Sequence, residues 1–357
     1  MYGCAMRMKQ TRSLLPVVLA AALLGVPATA AASGAATTTT TTTATTGTTT
    51  TVTPKPKPKP TPKPSAGSAR LYPAGLFSVH GAPVTVPGRG VAVTGVVRPY
   101  VAGQAVLLKA YVNGHLFKVV KLALAPSRRR VYGRFTYTVA APAAGAVTVT
   151  VLHSANSLQT RFTARTGWSA LGENVGFGST GRFVELLQQR LAALHFYIPQ
   201  TGVYDVGTSL AVDAYHRLLG WGVAQTVGPA LVNDLLSGVG AFHVRYPGQG
   251  RHAEGDLSNQ LLALVNGSQV QLIFPISSGK PSTPTILGSY RVYERTPGYL
   301  PDGMYYSDFF IRGYAIHGYD PAPDYPASHG CMRLPIVDAI AAYNWLALGD
   351  WVDSYYT

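Results

Sequence analysis

The first half of this 357-residue chain has no acid: residues 1–172 hold nineteen Lys and Arg and not one Asp or Glu. The other ten Lys and Arg, and all fifteen acids, lie in 173–357. A net charge of +14 thus conceals a strongly basic half joined to a mildly acidic one. Such asymmetry points to a polyanionic partner for the first half. Cysteine is nearly absent, with only Cys4 and Cys331. Cys4 lies in a segment expected to be removed, so Cys331 has no partner for an intramolecular disulfide. Charged residues make up only 12%, while Gly, Pro and Thr are plentiful, which favours strands, turns and linkers over a helical bundle. No apolar run comfortably reaches the ~20 residues of a membrane span. One body cysteine, scattered histidines and no His-Glu-x-x-His leave no zinc signature, and no cofactor is expected.

What is present begins with an export signal. Arg7, Lys9 and Arg12 precede an apolar stretch over 14–24, and Ala28-Thr29-Ala30 fits a small-residue cleavage site. Residues 1–30 are therefore expected to be a signal peptide, and the protein to be secreted to the cell wall or the outer face of the membrane. Residues 31–69 read as a linker without a core: a Thr-rich tract, then alternating Lys and Pro over 54–64. The second part predicts a polyproline II rod of roughly 34 Å at ~3.1 Å per residue. In an exported chain, the anion met by the basic half is expected to be a cell-wall polymer or a lipid headgroup surface. No nucleic-acid recognition motif is present, so no nucleic acid is expected as partner.

Residues 70–166 predict short strands over 91–97, 105–112, 115–124, 131–139 and 147–152, with Asn113-Gly114 as a two-residue hairpin turn. The expected fold is a β-sandwich-like domain without chemistry of its own. The period changes in 167–240. Val184, Leu187, Leu191 and Leu194 mark one face of a helix over 180–195. Thr208 or Ser209 is expected to cap a second helix, and 229–236 a third. The ordered set Gly181, Leu187-Gln188, Leu191, Tyr197, Gly202-Val203-Tyr204, Thr208, Ala211-Val212 and Tyr215 resembles the peptidoglycan-binding domain of bacterial wall enzymes. His216-Arg217 departs from it where that family usually has Gln. The resemblance implies Tyr197 and Tyr204 as exposed stacking positions for sugar or peptide.

Residues 241–357 predict a mainly β domain. Strands 261–265 and 269–274 flank Asn266-Gly267, further strands fall at 288–293 and 309–316, and a short helix at 338–348. Its chemistry gathers at Ser328-His329-Gly330-Cys331-Met332-Arg333. A thiol needs a base to give the nucleophilic thiolate near neutral pH. Two histidines lie close in sequence. His317 ends a predicted strand and is the expected base, returning the proton to a leaving amine. His329 is tied to Cys331 by sequence and is expected, with Ser328, to shape the substrate pocket. Arg333 suits a substrate carboxylate. A backbone oxyanion site is expected from the Cys331 N–H and a neighbour in the turn at Gly330, and Tyr299, Met304, Tyr305 and Tyr306, with the Pro-rich stretch 319–326, as a lid or substrate wall.

The ordered series Ser277-Ser278-Gly279-Lys280, Thr283-Pro284-Thr285, Gly288, Ala315-Ile316-His317-Gly318 and Ser328-His329-Gly330-Cys331-Met332-Arg333 strongly resembles the L,D-transpeptidase catalytic domain. The resemblance implies that family's β fold and a thioester on Cys331. It implies peptidoglycan stem peptides as donor and acceptor, joined through their third residues. Some relatives carry Ser where this chain has Gly318, so the group orienting His317 is expected to be a backbone carbonyl, that of Gly318. Two other outcomes are compatible: hydrolysis of the same acyl-enzyme, as in an L,D-carboxypeptidase, or wall binding without catalysis.

Overall fold

The computed structural model describes residues 63–357. The signal-like segment 1–30 with Cys4, the Thr-rich tract and most of the Lys-Pro run lie outside the described residues. The described residues begin with ten strands: β1 (Ser68–Ala74), β2 (Phe77–Val79), β3 (Ala82–Thr85), β4 (Gly90–Arg98), β5 (Ala105–Val112), β6 (His115–Ala123), β7 (Ala125–Pro126), β8 (Gly133–Ala140), β9 (Gly145–His153) and β10 (Phe162–Ala170). They form two sheets, ordered β1-β4-β8-β7 and β2-β3-β10-β9-β5-β6. Burial alternates residue by residue along β4 and β5, as it must when one face of each strand is covered. Val91, Val93, Phe135 and Val139 of the first sheet share a core with Leu108, Val149, Val151 and Trp168 of the second. The turn Asn113-Gly114 has both φ angles positive, 49° and 81°, which Asn and Gly tolerate best.

Three helices follow: α1 (Arg182–Ala193), α2 (Val206–Leu218) and α3 (Pro229–Ser237). The cap of α2 differs from expectation. Asp205, not Thr208 or Ser209, precedes the helix, and its carboxylate accepts from the Thr208 N–H at 2.8 Å. A carboxylate one step before the first turn reaches that orphan donor and also faces the positive end of the helix dipole.

The remaining strands are β11 (Arg251–Asp256), β12 (Leu261–Asn266), β13 (Gln269–Pro275), β14 (Gly288–Arg291), β15 (Glu294–Tyr299), β16 (Tyr305–Ile311), β17 (Tyr314–Gly318), β18 (Met332–Leu334) and β19 (Trp351–Tyr355), with α4 (Ile336–Trp345) before the last. They form sheets ordered β13-β12-β11-β19-β14 and β15-β16-β17-β18. The single strand expected over 309–316 is two strands. Arg312, at φ 51°, and Gly313 turn the chain so that β16 and β17 pair antiparallel. A positive φ ends regular extension.

The helices are enclosed on both sides. Phe183, Leu186, Val232 and Leu236 share a core with Val79, Val84 and Val86. Val184, Leu187, Leu191 and Tyr215 share another with Leu261, Ala263, Val265 and Ile273. The intervening residues of β12, Leu262 and Leu264, face a third core with Phe274, Ile316 and Met332. This double cover explains the unbroken apolar run 261–265. Arg217 reinforces the junction. Its side chain is buried, pairs with Asp213 at 2.5 Å, and donates to the carbonyls of Gln260 and Ile276, each at 3.2 Å. The boundaries expected at 166/167 and 240/241 thus fall inside one compact unit.

Candidate active site

Two strands and an extended segment hold the thiol. β18 runs parallel to β17, with His317 opposite Arg333 and Ile316 opposite Met332. Cys331 enters β18 from a turn that Ser328 closes: Ser328 Oγ accepts from the Gly330 N–H at 3.0 Å and donates to the Cys331 carbonyl at 2.6 Å. Gly330 is buried at φ 122°, and a Cβ there would lie 2.3 Å from the Tyr314 ring. Only glycine fits that conformation and that gap. The extended segment 277–280 straps the turn from the other side. Ser277 and Arg333 exchange both backbone hydrogen bonds at 2.9 Å, and Ser328 N–H donates to the Ser278 carbonyl at 2.9 Å.

A cavity of about 360 Å³ collects the side chains, lined among others by His317, Cys331, His329 and Arg333. His317 Nδ1 lies 2.8 Å from the Gly318 carbonyl, so Nδ1 carries the proton and Nε2 is the acceptor nitrogen. No side chain fits at position 318, because a Cβ would lie 2.6 Å from Cβ of Ala339 on α4. Burial lowers the His317 pKa to about 4, with the Arg333 charge adding to the effect and the Gly318 carbonyl opposing it. Burial also raises the Cys331 thiol above its usual value, against a backbone hydrogen bond from Ala315 and the positive charge of Arg333. Burial thus favours the neutral form of each group. Arg333 stacks its guanidinium 3.9 Å from the Tyr319 ring centroid. Its buried Nε has no hydrogen-bond partner among the described residues, and no carboxylate pairs with it there.

The other expected site residues divide between the cavity and places outside it. Tyr305 and Tyr306 do not line the cavity. They belong to an aromatic cluster with Tyr299 and Tyr343, at centroid distances of 4.3–5.0 Å. Ser328 lines the cavity as expected, and its buried hydroxyl also holds the turn. The Gly330 N–H is occupied by Ser328 Oγ, which leaves the Cys331 N–H as the donor of the expected oxyanion site. His329 is exposed at the rim, 3.4 Å from Lys280 Nζ. Tyr204 is 2% exposed, and its hydroxyl donates to the Gln225 carbonyl. Tyr197 packs against Phe274. Neither offers the exposed ring that stacking on sugar needs, because both faces of the helical segment are covered. The residues missed are Asp302 and Tyr314, while Met304 and Tyr319 line the cavity as part of the expected substrate wall. Tyr314 begins the strand that carries His317, which was the signal available.

Residues 250–353 match the L,D-transpeptidase catalytic domain family. Among solved structures, an L,D-transpeptidase from Xylanimonas cellulosilytica is 32% identical. The match covers 51% of this chain and 98% of that one, with a TM-score of 0.47. The catalytic domain of the Enterococcus faecium L,D-transpeptidase is 26% identical, over 30% of this chain and 98% of that one, at TM-score 0.27. An L,D-transpeptidase from Mycobacterium smegmatis is 12% identical, over 80% of this chain and 99% of that one, also at 0.27. No curated protein sequence matches the chain.

Proposed function

The chain belongs to the L,D-transpeptidase family through its residues 250–353, and on that premise we propose that it is a secreted cysteine transpeptidase acting on peptidoglycan stem peptides. The observation that carries the reading is one cavity in which a thiol, an imidazole oriented by a carbonyl, and an unpaired guanidinium meet. Cys331 Sγ attacks the carbonyl between the third residue of a donor stem and its terminal D-amino acid. His317 Nε2 takes the thiol proton as the S–C bond forms. The C–N bond then breaks, His317 returns the proton to the departing amine, and a thioester remains. An amine of a second stem attacks the thioester and gives its proton to His317. The thiolate leaves and recovers that proton, so one amide replaces another without ATP. Arg333 supplies a two-pronged donor for a stem carboxylate. Export rests on the signal-like segment 1–30.

Product analysis with purified donor and acceptor stems tests this. Dimers linked through third residues are expected, and trimmed monomers alone would replace transfer with hydrolysis. Intact-mass measurement after incubation with a carbapenem should show one acyl adduct on the wild type and none on Cys331→Ala. A folded wild type that stays unmodified would end the cysteine reading.

A further inference from the structure

The outer face of the sheet β1-β4-β8-β7 gathers arginines that no acid among the described residues neutralises. Arg70 on β1 pairs with Val96 on β4, and Val96 pairs with Arg134 on β8. Paired residues share a face, so Arg70 and Arg134 flank Val96, roughly 10 Å apart across two strand spacings. Arg98 lies on the same face two residues along β4, a further ~7 Å. All three are exposed. The exposed loop Arg128-Arg129-Arg130 enters β8 at the same end, where Arg98 sits 5.5 Å from the ring centroid of Tyr132. Among the described residues none of these six arginines makes an ion pair. The whole chain before Glu173 has no acid to offer one. Like charges gathered without counterions repel, so the cluster adds nothing to folding and is suited to an external anion.

The row beside the arginines is of another kind. Tyr72 pairs with Thr94, and Thr94 with Thr136. The two threonine hydroxyls lie 3.0 Å apart, and Tyr72 is 51% exposed. A groove of about 270 Å³ runs between the rows, lined by Ser68, Arg70, Tyr72, Val96 and Arg98.

We infer that this face binds a linear phosphodiester polymer of polyol or sugar units. The guanidinium groups take successive phosphates through paired N–H donors, while Tyr72 and the threonine hydroxyls take the units between. A lipid surface fits less well. Tyr72 is the one exposed large apolar side chain on the strands of this sheet, and a flat face with a single ring has nothing to bury among acyl chains. Single-stranded nucleic acid wants a series of stacking rings, which the face lacks. The inference goes beyond the chemistry at Cys331, and its test is independent of that chemistry.

The test is binding of end-labelled poly(glycerol phosphate) to the full chain, followed by fluorescence anisotropy across a salt series. The variant R70Q/R98Q/R134Q is expected to lose at least ~30-fold in affinity. Its salt slope should fall by about 2, at ~0.7 per lost phosphate contact on a single chain. A control, K109Q/K121Q/R165Q, removes the same charge from the outer face of the six-stranded sheet and should stay within about threefold of wild type. R70K/R98K/R134K keeps the charge and should lose less than about tenfold. Thermal melts establish that each variant folds, and donor-peptide turnover should be unchanged in all three. An equal loss in the control would reduce the face to net charge and overturn the assignment. So would failure of the wild type to bind, tighter binding of phosphatidylglycerol vesicles through the same arginines, or equal affinity for single-stranded DNA of matched charge.

Discussion

Burial favours the neutral form of both His317 and Cys331, and this sets a pH profile. A base must be unprotonated to act, and His317 in the folded protein titrates near 4. Turnover of a donor stem should therefore persist to about pH 5 and fall as pH drops through about 4. An imidazole at its ordinary value would give that limb near 6.5. Measured kcat/KM from pH 3.5 to 8, with melts at each pH to exclude unfolding, checks this; an acid limb near 6.5 would contradict the burial. Gly330→Ala makes a second prediction. The new Cβ meets the Tyr314 ring at 2.3 Å and forces a side chain into φ 122°, so a destabilisation of about 2–4 kcal/mol is expected in denaturant melts. Loss of acylation should accompany it; a variant as stable and reactive as wild type would mean the turn is looser than described. Cys331, His317 and Arg333 were readable because residue type and spacing alone name their chemistry. Tyr305 and Tyr306 were not. The β16–β17 register slips between Tyr305 and Asp308, and Tyr306 has φ 49°, so counting alternate residues fails there.

Helix α2 shows what lies out of reach at the next scale. Nine of the ten residues from Thr208 to Arg217, all but Leu210, are buried, so no polar stripe marks a solvent side. The departure His216-Arg217 was visible in the sequence. Its use was not, because Arg217 donates to carbonyls 43 and 59 residues away. Removing Arg217 alone leaves the Asp213 carboxylate buried without its partner, and burial already pushes that carboxyl above its usual range. Arg217→Met should cost about 3–5 kcal/mol, while Asp213→Leu/Arg217→Met should recover most of it. Urea titrations of both variants decide this; equal stability of the two would show that the guanidinium–carbonyl bonds, not the ion pair, dominate. Ile276 precedes Ser277, the backbone partner of Arg333. The single variant should therefore also slow acylation of Cys331, read as the rate of carbapenem adduct formation.

For the whole molecule, the alternating strands and the change of period at 180 displayed the three-part composition. The sealing of the parts against one another was not displayed, since Phe183 and Leu186 look the same whether they face a neighbour or one another. The cores shared across 166/167 and 240/241 predict a single calorimetric transition. They also predict that a chain starting near residue 172 melts roughly 5–10 °C lower, because four large side chains lose their cover. An unchanged midpoint would show that the sandwich contributes nothing to the helices. The double enclosure of α1, α2 and α3 bears on how such chains diversify. A segment exposed on one side can be traded between genes as a cassette. This one has matched surfaces at both ends and an arginine keyed to two distant carbonyls, so a transplanted helical trio would arrive without the fittings.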